Sequence, residues 1–172
     1  MTSPIIETER LLLRRQTLDD APFILALLNE PSFIRFIVDR GVRTLEATRE
    51  YINSGPLASY ARHGFGLYLT VLKATGEPLG ICGLVRRDGL DDVDLGYAFL
   101  PAHWGKGYAS EAAAAVLDYA RRALGLARLA AIVSVDNDRS IKLLERLGFQ
   151  FERLIRLPGD DEEIKLFVWE KP

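Results

Sequence analysis

The sequence predicts an α+β fold with a single mixed, mainly antiparallel sheet and flanking helices. Three observations lead to this prediction. Two runs of strand-forming residues, 65–73 and 78–86, are separated by a short turn and therefore form a hairpin. A third strand, residues 93–100, follows a charged, glycine-containing turn and extends the hairpin into a meander. Helical and strand patterns then alternate to the end of the chain, which adds further strands to the same sheet.

One strand and two helices precede the meander. Residues 11–15 form a short strand that passes from apolar to basic side chains. Residues 21–28 carry apolar side chains at helical spacing, and Pro31 is expected to end this helix. A second helical stretch is predicted from residue 44 to about residue 61.

Two helices and three strands follow the meander. Glycine stands at the C-cap position of both helices, at Gly125 and Gly148. The helices are predicted over residues 108–124 and 138–147, and the strands over residues 128–135, 149–157 and 164–169. Because no linker, repeat or low-complexity tract divides the chain, residues 1–172 are expected to form a single domain.

Composition excludes several classes of protein. The net charge of −2 argues against nonspecific nucleic-acid binding, which usually requires a basic excess or patch. No apolar run approaches the roughly 18 residues of a membrane helix, and the start of the chain lacks a signal-peptide pattern. The single cysteine, Cys82, cannot form an internal disulfide, and no Cys/His cluster suggests a metal site. We therefore expect a soluble cytoplasmic protein with no metal, no nucleic-acid partner and no membrane attachment.

The stretch DLGYAFLPAHWGKGYAS, residues 94–110, carries the most information about function. Its pattern is a strand, a turn and a glycine-containing loop that opens an alanine-rich helix. The start of a helix directs free backbone N–H groups into such a loop, and an anion, usually a phosphate, can bind there. Gly105 and Gly107 lack a Cβ and so permit a close approach, and Lys106 adds positive charge. A glycine turn without a ligand has the same composition, so the loop alone leaves both interpretations open.

The two faces of the preceding strand differ in character. Alternation places Val93, Leu95, Tyr97 and Phe99 on one side, and Asp92, Asp94, Gly96 and Ala98 on the other. The first face is apolar and is predicted to lie in the core. The second is small and acidic, which is typical of a strand that lines a cleft. A helix packed on small residues, with Asp94 near a solvated end, is the alternative.

Two long motifs resemble the GNAT superfamily of acyl-CoA-dependent N-acetyltransferases. They are the strand and loop from DLGYAFLP to HWGKGYASEA and the later DNDRSIKLLERLGF; the opening TERLLLRR is also similar. The resemblance covers nearly the whole chain in order and is strongest to the branch that acetylates the N-termini of ribosomal proteins. It implies the GNAT fold and the transfer of acetyl from acetyl-CoA to a primary amine by direct attack in a ternary complex. The acceptor that the resemblance implies is a protein N-terminal α-amine or a small-molecule amine.

The resemblance also implies where acetyl-CoA binds. The backbone of the loop is expected to hold the pyrophosphate, through Gly105, Lys106, Gly107, Tyr108 and Ala109. The pantetheine arm is expected to pair with the main chain at Phe99 and Leu100, in a gap between this strand and the strand at residues 128–135. Trp104 stands where the family's broad consensus has Gln or Arg. An aromatic residue is common there in the similar branch, so we expect the indole to pack rather than to bind.

Acetyl transfer from a thioester to an amine requires the amine to lose a proton and the leaving thiolate to gain one. Asp94 is the candidate base, since it lies on the predicted cleft face and matches a position where GNAT enzymes often carry Glu. A solvated carboxylate that only attracts the amine is the alternative. Ser140 is the candidate acid, because it shares a helix face with leucines and matches a serine near the CoA sulfur in the branch. A serine that only bonds local backbone is its alternative. Asn137 is an N-cap and, by resemblance, a cofactor contact.

A non-catalytic acyl-CoA-binding module is the alternative function. Such a module would keep the loop and lose the acid and base, so the presence of both Asp94 and Ser140 favours an enzyme. A nucleotide-phosphate binder ranks last, because the loop lacks the spacing of a P-loop. The acceptor is expected to contact residues 33–43 and 159–163, whose sequence does not identify the amine. A homodimer is left open.

Overall fold

The computed structural model describes residues 3–172 and contains one eight-stranded sheet in the order β1-β2-β3-β4-β5-β6-β8-β7. The strands are β1 Pro4–Glu7, β2 Leu11–Arg14, β3 Leu67–Leu72, β4 Pro78–Val85, β5 Asp94–Phe99, β6 Arg128–Ser134, β7 Gln150–Ile155 and β8 Ile164–Glu170. All neighbouring strands are antiparallel except β5 and β6, which are parallel. The predicted mixed, mainly antiparallel sheet is therefore confirmed.

Helices cover both faces of this sheet. They are α1 Ala21–Leu28, α2 Pro31–Phe36, α3 Leu45–Ile52, α4 Ala58–His63, α5 Tyr108–Arg122 and α6 Asp138–Arg146. On one face, α5 packs on β4 and β5 through buried small residues such as Ala112 and Ala113. On the other face, α1 and α3 bury Ile24 and Ile52 against β3 and β4. Among residues 3–172, no helix has the length and apolar character needed to span a bilayer.

The first strand and the second helix differ from the sequence-based expectations. The strand β1 was not predicted, because it is short and begins with a proline, a residue that is tolerated on an edge strand. Pro31 does follow the end of α1, as expected, but it also occupies the first position of α2. Residues 31–36 therefore form a helix, which the expectation of a simple helix stop at Pro31 did not anticipate.

The helical stretch predicted from residue 44 is present but interrupted. Thr44 caps α3, since its Oγ1 accepts a hydrogen bond from the Ala47 N–H at 3.1 Å. A wider turn at residues 53–57 then separates α3 from α4, and Pro56 lies within it. Proline lacks the N–H that a regular helix requires, which accounts for the break.

Strands β5 and β6 separate soon after they begin. Their pairing within residues 3–172 is confined to Asp94 and Ala130, where the Ala130 N–H donates to the Val93 carbonyl at 2.9 Å. By contrast, β4 pairs with β5 along its whole length. Because the N–H and C=O groups of a strand point alternately to its two neighbours, those of Leu95, Tyr97 and Phe99 face β6 across the separation. A gap therefore opens between the strands towards their carboxyl ends.

Candidate active site

The glycine loop lies at the open end of this gap and leads directly into α5. Gly105 and Gly107 both have positive φ angles, +77° and +81°, a region that L side chains rarely adopt. Gly107 is the N-cap residue of α5, and its carbonyl accepts the Glu111 N–H at 3.0 Å. No side chain from residues 3–172 caps this helix start. The first N–H groups of α5, beginning at Tyr108 and Ala109, are therefore free to bind an anion.

Arg10 lies against the loop and was not among the predicted site residues. Its Nη1 donates to the Lys106 carbonyl at 2.9 Å, and its Nε donates to Glu111 Oε1 at 2.7 Å. The guanidinium lies over the Tyr108 ring, 4.6 Å from the ring centroid. A Cβ at Gly107 would stand 3.2 Å from Arg10 Nη2, so the glycine leaves room for the arginine. No local pattern signals this contact, because Arg10 and Lys106 are 96 residues apart in sequence.

The strand end that precedes the loop is partly occupied by the protein's own groups. The Leu100 N–H donates to the Leu79 carbonyl at 3.1 Å, and the Leu100 carbonyl accepts from the His103 N–H at 2.9 Å. Both main-chain groups of Leu100 therefore have partners within the chain. The Phe99 carbonyl accepts the Trp104 Nε1–H at 2.9 Å. Of the groups at this strand end that face the gap, the Phe99 carbonyl is taken by Trp104, and the Phe99 N–H has no hydrogen-bond acceptor among residues 3–172.

Trp104 does more than the expected packing. A short 3₁₀ turn, Pro101–His103, brings its indole back to the strand, where it donates the hydrogen bond to Phe99. Trp104 remains 36% exposed, and the Arg139 guanidinium lies over its ring, 4.9 Å from the ring centroid. Since Trp104 follows β5 and Arg139 lies on α6, this stacked pair reaches across the mouth of the gap.

A hydroxyl pair lies between β5 and α6. Ser140 Oγ is 2.5 Å from Tyr97 Oη. The Asn137 side chain caps α6 by accepting the Ser140 N–H at 3.3 Å, which confirms the N-cap interpretation of Asn137. Burial raises the pKa of Tyr97 to about 12, against the opposing effect of its hydrogen bond with Ser140.

Tyr97 was assigned only to the apolar core face, and its ring does pack against the main core. Its hydroxyl, however, adds a polar group that the prediction missed. The available signal was a single tyrosine among Val93, Leu95 and Phe99, since a buried tyrosine hydroxyl needs a hydrogen-bond partner.

Asp94 is buried rather than solvated, with 1% of its surface exposed. Arg87 Nε donates to its Oδ2 at 2.8 Å. Burial raises the pKa of the Asp94 carboxyl, and the charge and hydrogen bond of Arg87 oppose this change. Alternation places Asp94 on the face of β5 opposite Tyr97, about 10 Å away along the strand. The structure thus does not bring Asp94 and Ser140 into contact. Ser140 meets Tyr97 beside the gap, whereas Asp94 lies where β5 and β6 are still paired.

A charged network holds the segment that carries Arg87. Arg128 on β6 donates from Nε to Asp92 Oδ2 at 2.9 Å and from Nη2 to Glu152 Oε1 at 3.0 Å, and it also pairs with Glu170. Arg128 therefore links the β4–β5 connection to β7 and β8 at one edge of the sheet. Within residues 3–172, no three His, Cys, Asp or Glu side chains come together as a metal site would require.

Helix α2 closes the gap on the face opposite α6. Ser134 Oγ, at the end of β6, donates to the Phe36 carbonyl at 2.6 Å. Phe33 is buried in the same apolar cluster against which Ala98 and Leu100 of the β5 end pack. Ile34, Ile37 and Val38 remain exposed beside this contact. Residues 33–43, where the acceptor is expected to bind, therefore comprise most of α2 and the segment after it, and they contact both β5 and β6.

Comparisons with known proteins agree with this architecture. A family model described as the acetyltransferase (GNAT) domain matches residues 10–150. The N-acetyltransferase YoaA of Bacillus subtilis, itself uncharacterized, is 32% identical over 155 residues, which cover 89% of this chain and 86% of YoaA. The crystal structure of an acetyltransferase from Agrobacterium tumefaciens has a TM-score of 0.83 and 29% identity, and the match covers 99% of this chain and 96% of that one.

The same fold occurs in RimL, a ribosomal L7/L12 α-N-protein acetyltransferase solved in complex with coenzyme A. Its TM-score is 0.83 at 20% identity, with 98% of each chain covered. At this identity the match shows a shared fold. The family match and the names of the relatives confirm the resemblance found in the sequence, and they favour an enzyme over a non-catalytic acyl-CoA-binding module. The chain belongs to the GNAT family of acetyltransferases and is an acetyltransferase.

Proposed function

We propose that this acetyltransferase moves an acetyl group from acetyl-CoA to a primary amine by direct attack while both substrates are bound. The separation of β5 and β6 beyond Asp94 carries this proposal. The glycine loop lies at the open end of the gap, Tyr97 and Ser140 lie beside it, and Asp94 lies buried at the closed end, where the strands are still paired. A linear cosubstrate with a charged end and a reactive end fits such a gap.

The residues at the loop suit the pyrophosphate of acetyl-CoA. The uncapped start of α5 offers free N–H groups, and a helix N-terminus carries a positive partial charge. A Cβ at Gly105 would meet nothing within 4 Å, so the loop surface is open on that side. Gly105, Lys106, Gly107, Tyr108 and Ala109 would hold the pyrophosphate, the Phe99 N–H would receive the pantetheine arm, and Asn137 would lie near the thioester end.

Asp94 acts as the base in this proposal. The amine nitrogen attacks the thioester carbon, the new C–N bond forms and the C–S bond breaks. The proton lost by the amine passes to the Asp94 carboxylate, directly or through a water molecule, and then to solvent. Burial supports this role because it raises the pKa of Asp94 and so makes its carboxylate a stronger base.

Tyr97 and Ser140 stabilise the leaving thiolate. With its pKa raised to about 12, Tyr97 stays protonated at neutral pH and can share a proton with Ser140. A thiol has a pKa near 8.5, by order of magnitude. The pair therefore donates a hydrogen bond to the sulfur rather than surrendering a proton outright, and a proton from solvent converts the thiolate to free CoA thiol as it leaves.

Cys82 takes no part in this reaction. It lies on β4 in the main core and is fully buried. Burial raises the pKa of its thiol, which leaves little reactive thiolate. Direct transfer, without an acetylated enzyme, is consistent with this placement.

Removing the Tyr97 hydroxyl with Tyr97→Phe is expected to lower kcat by about 10²-fold and to leave the KM for acetyl-CoA nearly unchanged. The reason is that the lost hydrogen bond forms only as charge develops on the sulfur. Ser140→Ala is also expected to lower kcat. In the double variant, the fall in kcat should be smaller than the product of the two single effects, because the hydroxyls act as a pair. Steady-state kinetics check this result.

Tyr119→Phe provides the matched control for Tyr97→Phe, since Tyr119 lies on the same core side near the far end of α5. Its kcat should stay at the wild-type value. Equal kcat values for Tyr97→Phe and Tyr119→Phe would remove the hydroxyl pair from the mechanism.

The proposed activity is tested by following free thiol release from acetyl-CoA with a panel of peptides and small amines. Thiol release that requires both acetyl-CoA and an amine is the expected result, and the ranking of peptides against small amines identifies the acceptor class. Tight CoA binding without turnover on any amine would instead support an acyl-CoA-binding module.

A further inference from the structure

We propose that Arg10 is a positioning residue of the glycine loop and supplies a fixed cation to the diphosphate of the acyl-CoA. This inference rests on the proposed acetyl-CoA binding. Arg10 lies in the turn between β1 and β2, far in sequence from the loop, and nothing in the sequence motifs assigns it a role.

Two of the three guanidinium nitrogens donate hydrogen bonds to other residues of the protein. Nε donates to Glu111 and Nη1 to the Lys106 carbonyl, at 2.7 and 2.9 Å. The bond to Lys106 fixes the peptide between the two glycines, and so fixes the direction of the N–H groups that follow. Without it, a loop with two glycines at positive φ would sample many conformations.

The third nitrogen, Nη2, lies beside Gly107. It lies 3.2 Å from the position that a Cβ would take on Gly107, and it donates no hydrogen bond to any residue between 3 and 172. The Arg10 side chain is 40% exposed, so a ligand on the loop can reach it. A charged donor that is free, held in place and adjacent to the anion-binding N–H groups is well suited to a phosphate oxygen.

Glu111 holds Arg10 in this orientation. Its carboxylate accepts hydrogen bonds from Thr8 Oγ1 at 2.5 Å, from the Arg10 N–H at 3.0 Å and from Arg10 Nε. Partial burial acts to raise the pKa of Glu111, but these hydrogen bonds from Thr8 and Arg10 hold it below the ordinary value. The Tyr108 ring supports the guanidinium plane. A lysine has one nitrogen and cannot replace all of these bonds.

The experiment compares two acetyl donors in Arg10→Met, Arg10→Lys and the wild type. Acetyl-CoA contains the diphosphate, whereas S-acetylpantetheine contains the same thioester without phosphate. Arg10→Met is expected to raise the Kd of CoA about 10-fold or more in calorimetric titration. It is also expected to weaken the dependence of that Kd on salt, because a charge contact is lost. The kcat/KM for S-acetylpantetheine should stay at the wild-type value, and Arg10→Lys should recover part of the CoA affinity.

Arg14→Met is the matched control, since Arg14 lies on the adjacent strand β2 and pairs with Asp20 away from the loop. It should leave the Kd of CoA unchanged. If Arg10→Met does not fold, Arg10→Gln takes its place, because glutamine is uncharged but its amide nitrogen, at the position of Arg10 Nε, can still donate to Glu111.

An equal loss with both donors would mean a structural role only and would overturn the inference, as would an unchanged Kd for CoA. Failure of the wild-type protein to bind CoA would overturn the proposed function as well. That result is distinguishable, because it appears before any variant is compared.

Discussion

Gly107→Val is expected to weaken CoA binding by about 10²-fold or more, since it disturbs at least two charge-assisted contacts to the pyrophosphate. Gly107 has a φ of +81°, which a β-branched residue adopts only with strain. The added Cβ would also stand 3.2 Å from Arg10 Nη2, so the valine side chain would crowd the space between Arg10 and the loop. Calorimetric titration with CoA, or the thermal shift that CoA produces, measures this loss.

Gly125→Val controls for backbone strain. Gly125 also has a positive φ, +66°, but a Cβ there would meet nothing within 4 Å, and it follows the end of α5 that is opposite to the glycine loop. Both variants are expected to lose about 1–3 kcal/mol of unfolding free energy from the strained backbone. CoA affinity should fall only in Gly107→Val, and an unaltered affinity there would show that the pyrophosphate binds elsewhere.

Asp94→Asn is expected to lower kcat by about 10²–10⁴-fold, the usual contribution of a general base. The base works in its ionised form, which is lost as pH falls through its pKa. Since burial raises that pKa above its ordinary value, activity should decline on the acid side at a pH above the ordinary aspartate range. This acid limb should vanish in Asp94→Asn.

Arg87→Met sharpens the test of Asp94. Arg87 opposes the effect of burial through its charge and hydrogen bond, so its removal should raise the pKa of Asp94 further and move the acid limb to higher pH. Asp91→Asn, which removes an exposed carboxylate nearby, should leave the limb in place. The pH–rate profiles of the wild type and the three variants measure these shifts. Wild-type activity of Asp94→Asn at every pH would mean that Asp94 forms only a structural ion pair with Arg87 and is not the base.

Local patterns in the sequence were sufficient for the central part of the fold. The meander, the glycine loop, α5 and α6 were predictable because strand alternation, glycine at positive φ and Asn137 as a helix cap each act within a few residues. Helix α2 was not predicted because proline can both follow the end of one helix and begin the next. Pro31 does both, since it follows the end of α1 and occupies the first position of α2.

The contacts that build the candidate site were less predictable because they join distant segments. Arg10 reaches Glu111 across 101 residues, and the Tyr97 hydroxyl meets Ser140 across 43. Neither pairing leaves a local pattern, since each depends on how the sheet places β1, β5, α5 and α6. The resemblance to GNAT enzymes located the loop and Ser140, but the partners of those groups had to come from the structure.

The separated strands leave room for a cosubstrate between them. On one face of the gap α2 is bonded to Ser134 of β6, and on the other face α6 is bonded to Tyr97 of β5. Trp104 is the exception, because its indole occupies the Phe99 carbonyl at the mouth. A ligand arm at this strand end must either use the neighbouring Phe99 N–H or displace the indole.

A crystal structure of the protein with CoA tests the central claim most directly. The account predicts pyrophosphate oxygens at about 3 Å from backbone nitrogens of residues 105–109. It further predicts the pantetheine arm between β5 and β6, and the sulfur beside the hydroxyls of Tyr97 and Ser140. CoA bound outside this gap, or strands β5 and β6 paired along their length with the ligand elsewhere, would contradict it.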